Sequence, residues 1–541
     1  MKKYSKTRVL VGGLALATLL FTGCGDSENF VFTNTVPNNP PVLTPPQAVN
    51  DARSALGNAT VTYTAANGVL NNDSLNGAVI SEFDATASSG GTVTLNGDGS
   101  FSYTPAAQFV GSETFTYTLA NNDGESTATV TMTSTGNGWF VDNTAGTSGD
   151  GTQAAPFDTL AEAVAVAQAG DTIYVRRGNG TATGLSTPIT LPQGVSLIGE
   201  GEGLVLAQTV EAQGQPPILG ETVTLSGNNV VSGFTFNGAN TAIVADGVTS
   251  CTVSNNRFEG GSATDLQVYF ESTTGTMTIT DNTFIQDFDA DSVTIVADAT
   301  GSFVVDNNTF ELAGPAADGD DCITITVQDG GNATFQINGN VFDGSGSTNP
   351  SMERGIHLAL FGTGTPQATL TATGNRSSDL SARDVEIVAN DDSQLTSAVF
   401  TNNVFEDCAF LSVGVLAMDS AEVVAVFEAN TITGGQEAMV ADAANSSDLR
   451  LALRNNTNLA GVLRAVRIQA DAAGTLCAEI VGNTFGGDLR FNESTSDSLD
   501  VEQFGDSMGD VLATLNTFTT GGIDVQTGTV TSVSDNACSI P

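Results

Sequence analysis

Two patterns of alternation divide the chain. Between about residues 49 and 136, short runs switch between apolar and polar at period two: Thr60-Val61-Thr62-Tyr63, Thr92-Val93-Thr94-Leu95, Phe101-Ser102-Tyr103, Thr114 to Leu119 and Ala128 to Met132. Period two sends successive side chains to opposite faces, so these runs predict half-buried strands. Asn96-Gly97-Asp98-Gly99 and Asn121-Asn122-Asp123-Gly124 separate them as turns. Several short strands over so short a span predict a β-sandwich. From about 138 to 541 the alternation continues under a different punctuation: Asn, one variable residue, then Phe. It stands at Asn256, Asn282, Asn308, Asn340, Asn403, Asn483 and Asn516, with degenerate copies at Asn375, Asn430 and Asn456. A recurring interval of roughly 26 residues, stretched to roughly 33 in places, is the mark of a stacked repeat.

The physical consequence is a coil of short strands, piled so that backbones pair about 4.8 Å apart. The Asn amides then form a hydrogen-bonded ladder at a bend, and the Phe rings stack inside. A dozen or so coils make a rod of roughly 60 Å. Longer steps near 310–340, 342–375 and 485–516 predict projecting loops. A β-propeller needs longer repeats, of about 40 residues or more. At the start, Trp139-Phe140-Val141-Asp142 reads as a strand, and Thr159 with Glu162 forms a capping box. Leu160, Ala163, Val164 and Ala167 share one face of the helix that follows, which is expected to close the open end of the solenoid. The fold class is therefore all-β: a right-handed parallel β-helix, its hand expected from crossover chirality, preceded by a small β-sandwich.

The N-terminus adds an address. Met1 to Arg8 is basic, Val9 to Phe21 is an apolar run too short for a permanent membrane span, and Thr22-Gly23-Cys24 follows. A small residue before Cys resembles the bacterial lipobox, although Phe21 stands where Leu is usual. The resemblance implies a signal peptide over 1–23, lipidation of Cys24 and attachment to the cell envelope as an outer-membrane or cell-surface lipoprotein. Residues 24–48 are polar and Pro-rich, as expected of an extended tether. The domains are then a sandwich over 49–136 and a solenoid over 138–541.

Charge narrows the partners. Lys and Arg total 16 against 60 Asp and Glu, and Lys2, Lys3, Lys6 and Arg8 supply four of the 16. Without that leader the balance is 12 − 60 = −48, with no Lys at all. Such a surface repels nucleic acid and anionic lipid, and attracts cations. The membrane contact is expected through the lipid alone. Cys251, Cys322, Cys408, Cys477 and Cys538 remain, with no CxxC spacing for zinc. Most read as buried apolar fillers, and a Cys477–Cys538 disulfide is one open pairing.

Three further resemblances bear on function. Val69-Leu70-Asn71-Asn72-Asp73, Gly90-Gly91-Thr92-Val93, Asp98 to Pro105 and Gly111 to Tyr117 resemble bacterial immunoglobulin-like or cadherin-like repeats. That implies a spacer or adhesion module, with Asp51, Asn72 and Asp73 as candidate Ca²⁺ ligands. The ordered set Trp139 to Asp142, Ala155 to Leu160, Gly170 to Val175 and Gly194 to Gly199 resembles the opening of pectate-lyase-like β-helix proteins of bacterial surfaces. Asp318-Gly319-Asp320-Asp321-Cys322 resembles the Asp-Asp-Cys strand of polygalacturonase-type glycoside hydrolases, implying Asp320 and Asp321 as acid and base. The companion Asn-Thr-Asp, Gly-His-Gly and Arg-x-Lys motifs are absent. Aligning coils by distance to the ladder Asn sets Asp321, Arg354 and Arg383 in one column. Thr324, His357, Glu386 and Arg467 fall in another. Both columns face outward beside buried Ile323, Ile356, Val385 and Val466. The expected function is a surface-anchored binding or structural protein contacting extracellular glycan or matrix. The alternative is a polysaccharide lyase or glycoside hydrolase on acidic polysaccharide, using Asp320, Asp321, Arg354, His357, Arg383 or Glu386. A Lys base is excluded for the mature chain.

Overall fold

The structure, a computed structural model, describes residues 44–540 apart from 207, 239–240, 260–266, 287–290, 313–319, 346–351, 494–497, 503–511, 514, 528–529 and 534–537. The expected signal peptide, Cys24 and most of the expected tether lie outside the described residues, as do the middles of the three long repeat steps.

The period-two runs are strands. Val61–Tyr63, Phe101–Thr104 and Thr92–Leu95 form one antiparallel sheet. Val79–Phe83, Gly111–Asn121 and Gly124–Val141 pair antiparallel in the other, and Asp51–Gly57 lies parallel to the last. The inward members of each run meet between the sheets: Tyr63 stacks on Phe101 at 4.9 Å, and Phe115, Tyr117, Val130 and Met132 are buried around them.

The strand Gly124–Val141 does not stop at the sandwich. Its last residues, Gly138 to Val141, pair in parallel with Thr172–Val175, which pairs in turn with Ser196–Gly199. One strand therefore belongs to both units. The seam has its own core of Leu56, Ala59, Phe140, Tyr174 and Leu204. Asp171 ties it down by accepting from Asn137 N (2.7 Å) and Trp139 Nε1 (2.9 Å).

Beyond the seam the chain coils. Three long sheets of parallel strands run along the solenoid: a 12-stranded and a 13-stranded sheet, and an 18-stranded one that includes strands of the sandwich. Register is unbroken where Phe236, Phe258, Phe284 and Phe310 line up in one column. Their rings stack at 4.8–4.9 Å, the spacing of the rungs themselves.

The Asn ladder is continuous from Asn256 through Asn282, Asn308, Asn340, Asn375, Asn403, Asn430, Asn456 and Asn483 to Asn516. From Asn282 onward each Oδ1 accepts both the backbone and the side-chain N–H of the Asn one rung before, and all ten residues are buried. The degenerate copies keep the amide and lose only the ring. The residue before the ladder Asn has φ between 53° and 72° at Asn255, Asp281, Asn307, Gly339, Gly374, Asn402, Ala429, Asn455 and Gly482. That left-handed bend favours Gly, Asn and Asp, which explains the residue types at those positions.

The capping box is present: the Thr159 backbone N–H donates to Glu162 Oε2 at 3.3 Å. The helix Leu160–Val166 buries Leu160 and Ala163 in the solenoid core. It packs against Gly124–Val141, Thr172–Val175 and Ile189–Thr190, the first strands of the solenoid. The disulfide is Cys477–Cys538, and Cys251, Cys322 and Cys408 are buried.

Candidate functional site

The 13-stranded sheet carries the candidate residues. Asp320–Gln328, Met352–Phe361 and Arg383–Ala389 are consecutive rungs. Register sets Asp321 beside Arg354 and Arg354 beside Arg383, and it sets Thr324, His357 and Glu386 in the neighbouring column. The second column continues through Gly414 and Val440 to Arg467, as ladder spacing predicts. Asp320 pairs with Met352 through its backbone, and its side chain lies outside the described residues.

The outward side chains form one network. Asp321, 4% exposed, is reached by Arg354 Nη1 at 3.1 and 3.2 Å and lies 3.0 Å from His357 Nδ1. Thr324 Oγ1 donates to it at 3.2 Å. Arg354 Nε lies 2.6 Å from Glu386 Oε2, an ion pair without hydrogen-bond alignment, and Nη2 lies 3.3 Å from Glu353. Arg383 Nη1 meets Glu386 Oε1 at 3.0 Å, and His357 Nε2 is 3.9 Å from Glu386. Burial opposes the Arg354 charge, but Asp321, Glu386 and Glu353 outweigh it and hold the guanidinium above its ordinary value. One rung back, Asp291 accepts the Asp321 N–H at 3.0 Å, and burial, then the Asp321 charge, raises its carboxyl. Sequence reasoning missed Asp291 and Glu353. Asp291 stands just ahead of its strand and Glu353 beside the chosen Arg354.

Behind this face lies a polar gap in the core. Ser377 occupies the ring column between Phe342 and Phe405. Asp384, fully buried, turns inward and accepts from Ser377 Oγ at 2.6 Å. Burial pushes its carboxyl up to about 7, against the Ser377 and Ser412 hydroxyls. Its Oδ2 has no hydrogen-bond partner, and burial, then Asp384, pushes the nearby Cys408 thiol up to about 12.

Further along the sheet, Glu437 holds Arg464 and Arg467 (Nε, 3.1 Å), Arg467 Nη1 donates to Gln469 at 2.6 Å, and Arg490 pairs with Asp524.

The calcium candidates come together in the sandwich without forming an open cradle. Burial, against the pull of Arg53, raises the Asp51 carboxyl to about 6, with Asp73 adding to the rise. Arg53 Nη2 stands 2.9 Å from Asp51 and reaches the Gly68 carbonyl, so a guanidinium already holds the cationic position. Asn72 gives its amide N–H to the Val49 and Asn50 carbonyls, and Asp73 accepts from Val49 N and Tyr117. Among the described residues no three His, Cys, Asp or Glu side chains are placed to hold a metal. These residues do not fit Ca²⁺.

Comparison with known proteins agrees on the two parts. Residues 38–133 match the family described as "Bacterial Ig domain". Residues 144–361 match "Protein of unknown function (DUF1565)". No curated protein matches. Among solved structures the chain is similar to a mutant of the periplasmic alginate epimerase AlgG. That similarity is at 12% identity and a TM-score of 0.35, over 66% of this chain and 77% of that one.

Proposed function

We propose that this is an exported bacterial envelope protein, lipidated at Cys24, whose solenoid presents its 13-stranded face to extracellular glycan. One observation carries the reading. Of the 12 arginines beyond the leader, Arg354, Arg383, Arg464, Arg467 and Arg490 all lie on that face, interleaved with carboxylates and amides. Arginine is scarce in this chain, and its planar fork suits hydroxyl and carboxylate recognition. The export signal, the disulfide and the bacterial immunoglobulin-like domain support an extracytoplasmic setting. No helix of the described residues is long and apolar enough to cross a membrane. A glycan array probed with the full chain tests the reading. Binding without product release supports it, and silence across the array defeats it. Cys24→Ser is expected to move the protein from the membrane to the soluble fraction.

A second reading has its own support. Asp321 holds His357 through Nδ1, leaving Nε2 as a general base beside two arginines. That arrangement suits proton abstraction on an acidic polysaccharide. Incubation with such polymers, with and without Ca²⁺, decides it. No reducing ends and no unsaturated uronate absorbance would end the idea.

A further inference from the structure

The rungs beyond Glu386 carry a second array, of which sequence reasoning singled out only Arg467. Gly414 and Val440 leave the outward column low for two rungs. Then Glu437 bridges Arg464 and Arg467, Arg467 donates to Gln469, and Asn492 donates to the same Gln469 oxygen at 3.3 Å. Beside it, the bend entering the sheet holds exposed apolar side chains. Phe410 is 52% exposed, Leu463 60% and Val462 85%. The backbone bonds Gln436 N to Phe410 O (2.7 Å) and Leu463 N to Gln436 O (2.7 Å) stack these bends on successive rungs. Phe410 and Leu463 therefore stand on alternate rungs of one bend, with Gln436 on the rung between them, edging a grid of alternating donors and acceptors.

Charge decides what such a surface takes. Arg464, Arg467 and Arg490 contribute three positive charges, and Glu437, Asp524 and Asp471 return three negative ones, so the array is neutral before Asp442 is counted. The whole chain is at −44. A polyanion gains nothing locally and is repelled at long range. An uncharged polysaccharide gains both ways: its hydroxyls meet fixed donors and acceptors, and the C–H faces of separate sugar units cover Leu463 and Phe410, apolar surface that otherwise faces water.

We propose that Arg464, Arg467, Gln469 and Asn492, with Leu463 and Phe410 as platform, form a contact site for an uncharged, hydroxyl-rich polysaccharide lying along the solenoid. The proposal rests on the glycan reading above and names the ligand class. The test titrates the full chain with neutral hexasaccharides of glucose, mannose and xylose, and with hexagalacturonate, at 20 and 500 mM NaCl. A neutral oligomer is expected to bind with the same affinity at both salts. Leu463→Ser and Arg467→Gln are each expected to weaken that binding at least 10-fold with unchanged melting curves. Arg467→Gln leaves Glu437 paired with Arg464. Binding of hexagalacturonate alone, or neutral binding that survives both variants, overturns this site and leaves the broader reading standing. Absence of any glycan binding overturns both.

Discussion

Ser377 shows how one residue changes its neighbourhood. A ring at that position would join Phe342 to Phe405; a hydroxyl leaves room that Asp384 enters. An inward carboxyl with one oxygen unpartnered survives there by staying protonated. Its folded pKa, about 7, stands above the ordinary 3.8, so the folded state holds the proton that the unfolded state has lost. The group's full contribution is present below pH about 4 and is lost as pH rises through 7. Asp384→Asn is expected to match wild type at pH 4 and to exceed it by on the order of 3 kcal/mol at pH 8, read from denaturant melts at both pH values. Ala429 is the other outlier, the only Ala among the left-handed bends that precede ladder residues. Ala429→Gly removes a Cβ clash there and is expected to stabilise by about 1 kcal/mol, checked by the same melts.

At the scale of the element, the ladder is what made the fold readable. From Asn256 to Asn483 each ladder amide follows a left-handed residue, and few residue types serve, so the spacing of Asn along the chain sets the register of the rungs. That is why Asp321, Arg354 and Arg383, and Thr324, His357 and Glu386, fall where alignment to the ladder put them. The offset logic extends to Glu437 and Arg464, which stand nearly as far from Asn430 and Asn456 as Arg383 does from Asn375. Two things escaped it. The inward turn of Asp384 depends on a gap one strand away, although Ser377 in a Phe column was its visible trace. The calcium expectation failed because Arg53, two residues from Asp51, fills the position by folding back, and alternation says nothing of side-chain reach. The ladder also predicts its own weakness. Asn403 Oδ1 accepts from Asn375 N and Nδ2, both buried. Asn403→Ala leaves both donors without an acceptor and is expected to cost about 2–4 kcal/mol. Amide exchange should show the loss concentrated in the rungs around 375–430; uniform loss along the rod would mean that the ladder acts globally.

The whole molecule joins two units through one strand and carries charge of one sign. Because Gly124–Val141 runs from sandwich to solenoid, and Leu56, Phe140 and Tyr174 close the seam, neither unit can open there without exposing the other's core. Over this chain 60 carboxylates face 16 cations, four of them within the first eight residues. Mutual repulsion lowers the stability of the compact state, while the cross-rung arginine pairs raise it, and salt acts on the two in opposite directions. The arginine pairs lie within about 3 Å and are partly buried, so screening reaches them least. The unpaired acids lie on the surface, where a Debye length near 10 Å at 0.1 M cuts their repulsion. Repulsion should therefore dominate the salt response. The melting temperature is expected to rise by several degrees between 20 and 500 mM NaCl, and equally in KCl, by calorimetry. A fall would place the ion pairs ahead of the repulsion. A far larger rise in CaCl₂ at matched ionic strength would mean that carboxylates gather around a specific ion, against the fit argued for Asp51 and Asp73.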